Sequence, residues 1–452
     1  MANDQPPRPS RRGFLKAGSA AVAAGASLGA TGVAQAALGK TPTQAADPTM
    51  AVEPFYGLHQ GGIVTPQQSH TYVAALDLTT EKRDDVIALL RAWTDAAARM
   101  TQGKTAAPLP PADAANTPPN TVDATNANGG YDAGSNKGAP DSADVLGLGP
   151  CGLTITFGFG PGLFTKDGKD RYGLASRRPA ALVDLPRFNG DQLLAEKTGG
   201  DLFIQACAND QQVAFHAVRQ LSRLASGVAT MRWGQSGFLS GPRGQTPRNL
   251  MGFKDGTNNP STAKPQLMNE FIWAAATPDA PWMEGGTYTV FRRIRITLEH
   301  WDNTEVGFQE QVFGRHKYSG APIGKKNEFD PVDLKEEDKD GNPVIPENSH
   351  VRLSNQASNN GAQILRRSYS YNEGTNFYIE RWPPWRQETE YDAGLIFLAH
   401  QSDPRKGFIP INEKLAKFDM MNQFTTHVGS AIFAVPPGAK PGSYIGAGLF
   451  ET

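Results

Sequence analysis

An order of elements that occurs twice constrains this sequence more than any other feature. Residues 72–78 alternate as a strand does, and residues 84–100 carry helical periodicity. Residues 153–159 and 202–207 are strand-like, 213–224 helical and 228–233 strand-like again. The second half repeats the order: strand 288–298, helix 306–313, strands 364–371 and 395–400, helix 412–421, strand 431–435. Period-two segments bury one face of a sheet and 3.6-period segments one stripe of a helix, so strand–helix–strand–strand–helix–strand predicts helices packed on an antiparallel sheet. The expected fold is α+β: two ferredoxin-like βαββαβ halves, 50–265 and 280–452, packed around one site.

Two stretches fall outside the pattern. Residues 103–147 are dominated by Ala, Pro, Asn, Asp and Gly, with Tyr131 as the only aromatic, and read as a surface insertion with too little apolar surface to offset ordering. Residues 325–348 are charged and proline-interrupted. Within them Glu336-x-Asp338-x-Asp340-Gly341, with Glu347 at the twelfth position, echoes a calcium loop. Glu at the first position, and Pro343 and Pro346, favour a solvated acidic loop instead.

The chain starts with Ser10-Arg11-Arg12-Gly13-Phe14-Leu15-Lys16, an Ala/Gly-rich stretch to Val33, and Ala34-Gln35-Ala36. Charged, weakly apolar and small-residue regions in that order form an export signal, 1–36, cut after Ala36. The paired arginines resemble a twin-arginine signal. The expected partner is the twin-arginine machinery, which carries folded cargo, and the expected location is periplasmic or extracellular. The stretch is short and glycine-rich for a membrane anchor. A net charge of −1 for the chain and +3 for residues 1–36 leave −4 for the rest, which argues against a nucleic-acid partner.

Cys151 and Cys207 are the only cysteines. Two are too few for a disulfide framework or for a four-cysteine zinc or iron–sulfur site. Both flank strand-like runs, so buried thiols are expected. The eight histidines include no His-x-His pair and no His-Glu-x-x-His, which excludes a multicopper oxidase.

Three segments carry chemistry. His350 lies in Asn348-Ser349-His350-Val351-Arg352-Leu353, after the acidic stretch. By itself a lone histidine is more often a satisfied surface residue than a ligand. Gly252-Phe253-Lys254-Asp255-Gly256-Thr257-Asn258-Asn259-Pro260 is turn-rich, and its glycines would let the backbone approach a flat cofactor and hold Asp255 over it. In Gln363-Ile364-Leu365-Arg366-Arg367-Ser368-Tyr369, strand alternation turns Arg366 inward if Leu365 and Arg367 face away.

Together these segments resemble the dye-decolourising peroxidase family. Gly252 to Gly256 matches its glycine-x-x-aspartate-glycine motif, His350-Val351-Arg352-Leu353 the axial-histidine segment, and Ile364-Leu365-Arg366 the distal arginine. The likeness extends through Phe55 to Ile63, Thr154 to Pro161, Gly314-Arg315-His316-Lys317 and Gly394 to Leu398, with residues 103–147 outside it. The branch it most resembles is exported and bacterial, and includes deferrochelatase-like, haem-handling proteins of iron uptake.

The resemblance implies one haem b per chain with His350 as axial ligand, Asp255 as proton relay and Arg366 as charge stabiliser. It implies Arg315 on a haem propionate, and Gly256 and Ser368 beside the cofactor; Ser368 stands where some members carry an asparagine. Asp403 is the candidate acid behind the axial imidazole. Hydrogen peroxide would be reduced, and dyes, phenols or similar aromatic one-electron donors oxidised. Trp382, Trp385, Tyr369 and Tyr391 are candidates for carrying electrons, against the plainer reading of core aromatics. Haem handling with iron release is the alternative activity.

Overall fold

The computed structural model describes residues 48–109, 139–242, 244–376 and 390–451. The twin-arginine segment, most of the 103–147 insertion, Trp382 and Trp385 lie outside the described residues. Among the described residues no helix is long and apolar enough to cross a membrane.

The strands are β1 (His70–Leu78), β2 (Thr154–Phe159), β3 (Leu202–Ala208), β4 (Ala229–Phe238), β5 (Thr287–Ile296), β6 (Leu365–Arg366), β7 (Tyr369–Asn376), β8 (Glu390–Gln401) and β9 (Thr425–Val435). Five helices matter below: α1 (Arg83–Met100), α2 (Gln211–Leu224), α3 (Val306–Phe313), α4 (His350–Ser354) and α5 (Phe408–Phe418). The strands run in the order β5-β9-β2-β3-β1-β4-β7-β8-β6, and β5 also pairs with β8, so the antiparallel sheet closes into a barrel. Where two separate sheets are expected, their edges meet. Each join is one register pair wide, Phe159 with Ala434 and Phe238 with Ser370.

Side-chain periodicity explains the layers. Helix α1 buries Val86, Leu89, Leu90, Trp93, Ala97 and Met100, the i, i+3, i+4, i+7 stripe of an amphipathic helix. Each large apolar side chain so buried contributes about 1.5–3 kcal/mol. Trp93 stacks on Phe157 at 5.3 Å between ring centroids. Asp84 and Asp85 in the first turn and Arg99 in the last complement the helix dipole. Helix α2 starts at Asp210, whose carboxylate accepts the Val213 N–H at 3.0 Å. Strand β3 is buried at every position. Its side chains alternate between the α1 and α2 layer and the barrel interior, where Phe203, Trp233, Phe291, Tyr369, Ile396 and Leu398 pack.

Two expectations need correction. The strand expected over 364–371 is two, β6 and β7, broken at Arg367 and Ser368. Arg367 alternates with Arg366 but does not reach solvent, because both barrel faces are covered. Its guanidinium donates to the Thr65 carbonyl at 2.6 Å and to the Gln68 amide oxygen. The helix expected over 412–421 runs from Phe408 to Phe418, and Asp419 ends it. Cys151 and Cys207 are both buried thiols, as expected, with no bridge between them.

Candidate active site

A cavity of about 380 Å³ lies on the outward face of β5 and β8, lined also by residues of α4, α5 and the Asn249–Asn258 region. Alternation on the two strands turns Ile294, Leu395 and Phe397 to this cavity and Phe291, Ile396 and Leu398 into the barrel core. The walls are thus largely apolar, and His350, Asp255, Arg366 and Arg315 all line them.

On one side Arg366 Nη1 donates to Asp255 Oδ1 at 3.1 Å. The 249–260 loop is held to the Arg366 strand by Asn259, whose amide works like a neighbouring strand. Its Nδ2 donates to the Arg366 carbonyl at 2.8 Å, and its Oδ1 accepts the Arg366 N–H at 3.1 Å. Gly256 follows Asp255 with φ +107°, a left-handed conformation that a side chain would strain. Lys254 and Thr257 on the same loop donate to Glu328 at 2.6 and 3.0 Å. Burial alone would raise the Glu328 carboxyl, but the hydrogen bonds of Lys254, Thr246 and Thr257 and the Lys254 charge hold it below its ordinary range.

Arg315 is buried beside this pair, with Nη1 donating to the carbonyls of Gly320 (2.7 Å) and Glu328 (2.9 Å). Burial lowers its pKa, Glu328 opposes the shift and Arg366 adds to it. Ser368 does not line the cavity. Its buried hydroxyl has no hydrogen-bond partner among the described residues and faces a cleft of about 20 Å³ behind Asp255 and Arg366.

On the other side His350 opens α4, and its Nδ1 lies 2.6 Å from Asp419 Oδ2. A carboxylate only accepts, so Nδ1 carries the proton and the Nε2 lone pair is left available. Asp419 Oδ1 accepts the Met421 N–H at 2.8 Å, which fixes the carboxylate in turn. Asp419 therefore replaces Asp403 as the acid behind the imidazole. The Asp403 carboxylate is gripped by Arg405, with Nε at 2.9 Å and Nη2 at 2.7 Å, and caps its own turn. Asp419 left a trace in the sequence, since an acid at a helix C-terminus opposes the dipole unless another use offsets it.

Gly314, with φ +80°, closes α3; a Cβ there would fall 3.0 Å from Ser349 Oγ and 3.1 Å from Ile345 Cγ2, so only glycine lets the helix end against the residue before His350. Phe313 on α3 stacks on Phe253 at 3.8 Å, and Trp301 Nε1 donates to the Met251 carbonyl at 2.9 Å. One aromatic cluster thus lies beneath both the Asp255 loop and the His350 helix.

Three other histidines have roles of their own. His59 stacks on Trp273 and bonds the Gly285 carbonyl. His400 is buried against Thr289 Oγ1, its pKa pushed down to about 3 by burial and then Arg367. His427 does line the cavity and escaped notice in the sequence. Arg292 Nε donates to its Nδ1 at 2.9 Å, and burial, then Arg292, pushes its pKa down to about 3, so it stays neutral with Nε2–H as a donor. The calcium-like loop is not assembled: Lys325 holds Glu336 at 2.7 Å, and Asp338 accepts the Asp340 and Asn342 N–H groups. Tyr369 is fully buried in the barrel and Tyr391 is exposed.

Residues 60–239 match the family model described as Dyp-type peroxidase, N-terminal, and residues 246–440 that described as Dyp-type peroxidase, C-terminal. The dye-decolorizing peroxidase of Thermobifida fusca (strain YX) is 37% identical across 98% of this chain and 97% of its own. The chain belongs to the Dyp-type peroxidase family. This Dyp-type peroxidase is also 33% identical to the deferrochelatase of Escherichia coli (strain K12), over 98% of this chain and 97% of that one. Among solved structures, a Dyp-type peroxidase from Streptomyces coelicolor superposes with a TM-score of 0.76 at 36% identity, covering 90% of this chain and 98% of that one. Ferric DtpA from Streptomyces lividans gives 0.75 at 36%, covering 91% and 100%.

As a Dyp-type peroxidase the protein carries haem and uses hydrogen peroxide with an electron donor. The residues fit that cofactor: an apolar cavity, an imidazole with one nitrogen tied back and the other available, and buried cationic nitrogens for carboxylates.

Proposed function

We propose that His350 would hold the haem iron through Nε2, that Asp255 and Arg366 would act on the peroxide, and that Arg315 would meet a haem propionate. The observation that carries this assignment is that His350–Asp419 and Asp255–Arg366, two tied pairs of complementary chemistry, line one cavity. The chemistry that bound haem would supply is two-electron reduction of hydrogen peroxide, followed by recovery of the two electrons, one at a time, from donor molecules. Asp255 takes a proton from one peroxide oxygen and returns it to the other, so that water can leave. Arg366 keeps its charge at any working pH and stabilises the negative charge that develops as the O–O bond breaks. Asp419 keeps Nδ1–H of His350 in place and raises the basicity of the imidazole. Aromatic donors, dyes or phenols, are the proposed reductants.

Iron release from haem is the second reading, favoured by the likeness to proteins named deferrochelatase. Retention of both Asp255 and Arg366 favours peroxide chemistry. Haem-loaded protein mixed with hydrogen peroxide and a phenol or anthraquinone dye is expected to oxidise the dye in proportion to peroxide. Iron-free porphyrin accumulating without peroxide consumption would instead support iron release.

The barrel is proposed to consist of two ferredoxin-like halves, 50–265 and 280–452. The order β4-β1-β3-β2 in the first and β9-β5-β8-β7 in the second supports this reading, since each is the same arrangement of first to fourth strand. Export by the twin-arginine route is proposed from Arg11 and Arg12. Replacing both by Lys should leave haem-loaded protein in the cytoplasm, as read by fractionation; efficient export of the double variant would mean another route.

A further inference from the structure

A second donor cluster, outside the cavity, stands where the chain returns from the 103–147 insertion. Asp141, Asp144 and His216 of α2 bring donor atoms within 4.8 Å of one another. The side chains of Asp141 and His216 are 0% and 2% exposed, whereas Asp144 is a quarter exposed. The Asp141 carboxylate accepts the N–H groups of Ala106 and Ala143, both at 2.7 Å, and so ties the outgoing and returning chain together.

The hydrogen bonds define the protonation of the imidazole. Asp144 Oδ1 accepts from the Ser142 hydroxyl and lies 2.8 Å from His216 Nδ1, so Nδ1 carries the proton. Arg219 also approaches Asp144, at 3.6 Å. His216 Nε2 is buried with no hydrogen-bond partner among the described residues, 3.4 Å from Asp141 Oδ2. A doubly protonated imidazole would close on a buried carboxylate to about 2.7–2.9 Å. Instead the ring nitrogen and the carboxylate oxygen stand 3.4 Å apart, a spacing with its own meaning. Metal–ligand bonds of about 2.0–2.2 Å in a tetrahedral site set neighbouring ligand atoms roughly 3.3–3.5 Å apart. Among the described residues, His216 is the one ionisable partner within 4 Å of Asp141.

We propose that Asp141 and His216 bind a divalent transition-metal cation, with Asp144 orienting the imidazole. A nitrogen and carboxylate donor set without thiolates suits zinc. The ion would clasp residues 139–149 onto α2, remote from peroxide chemistry.

The test uses haem-loaded protein dialysed against a chelator and titrated with zinc chloride by calorimetry, with the zinc-to-haem ratio and melting temperature as further readouts. Wild type is expected to take up about one zinc per chain with micromolar or tighter affinity, and to melt roughly 3–5 °C higher with zinc in excess. Asp141→Asn should lose the uptake while keeping its Soret band. Asp144→Asn should weaken it about 10- to 100-fold, as loss of an orienting carboxylate does. If Asp141→Asn fails to fold, the wild-type titration and Asp144→Asn decide. No zinc uptake by wild type, or equal uptake by wild type and the folded variants, overturns the proposal.

Discussion

His350→Ala should yield protein without stably bound haem and without peroxidase activity, the largest effect expected of any single change here. The variant removes the axial nitrogen, and no neighbouring imidazole can take its place: His59 is stacked under Trp273, His400 is buried in the barrel, and His427 is committed through Nδ1 to Arg292. Asp419→Asn should be milder, a loss of about 10- to 100-fold in haem affinity or activity, because the imidazole stays but loses its orienting acceptor. The measurement is Soret absorbance per polypeptide after expression with haem supplied. A full haem complement and unchanged spectrum in His350→Ala would remove it as the ligand, and an unchanged Asp419→Asn would remove Asp419 from its supporting role.

The second large effect separates the two groups on the peroxide side. Asp255→Asn should slow reaction with hydrogen peroxide by about 10²- to 10⁴-fold, the usual contribution of a positioned proton-transfer group. Arg366→Leu should slow it by about 10²- to 10³-fold, the usual loss for one charge-stabilising donor. Stopped-flow absorbance after mixing with hydrogen peroxide reads both rates. A wild-type rate in Asp255→Asn beside a slow Arg366→Leu would leave Arg366 alone with the chemistry; two unchanged rates would void the assignment of this face.

Much of the barrel was legible because its strands and helices obey simple periods: α1, α2, β1, β3 and β5 lie within a few residues of where alternation puts them. Ring closure was not legible, because each seam rests on one register pair and depends on how far the sheets curl. Alternation turns Arg366 and Arg367 to opposite faces, yet Arg367 is buried as well, because in a barrel clad with helices neither face is open. The acid behind His350 was misassigned for a different reason. Asp419 is 69 residues away in the chain, and only the tertiary packing of α4 against α5 brings it to the imidazole. Asn259 lay in plain view within the glycine-rich segment, yet its role as a surrogate strand for Arg366 exists only once the loop is folded.

The cluster of Met251 with the rings of Phe253, Trp301, Phe313 and Phe424 bears on how the cofactor enters. It backs the carboxylate loop through Phe253 and the imidazole helix through Phe313, so the two walls share one rigid frame, much as the jaws of a caliper share one beam. Ring packing thus couples the two walls, so a planar cofactor entering between them would meet side chains already ordered by their neighbours, with less ordering entropy to oppose its insertion.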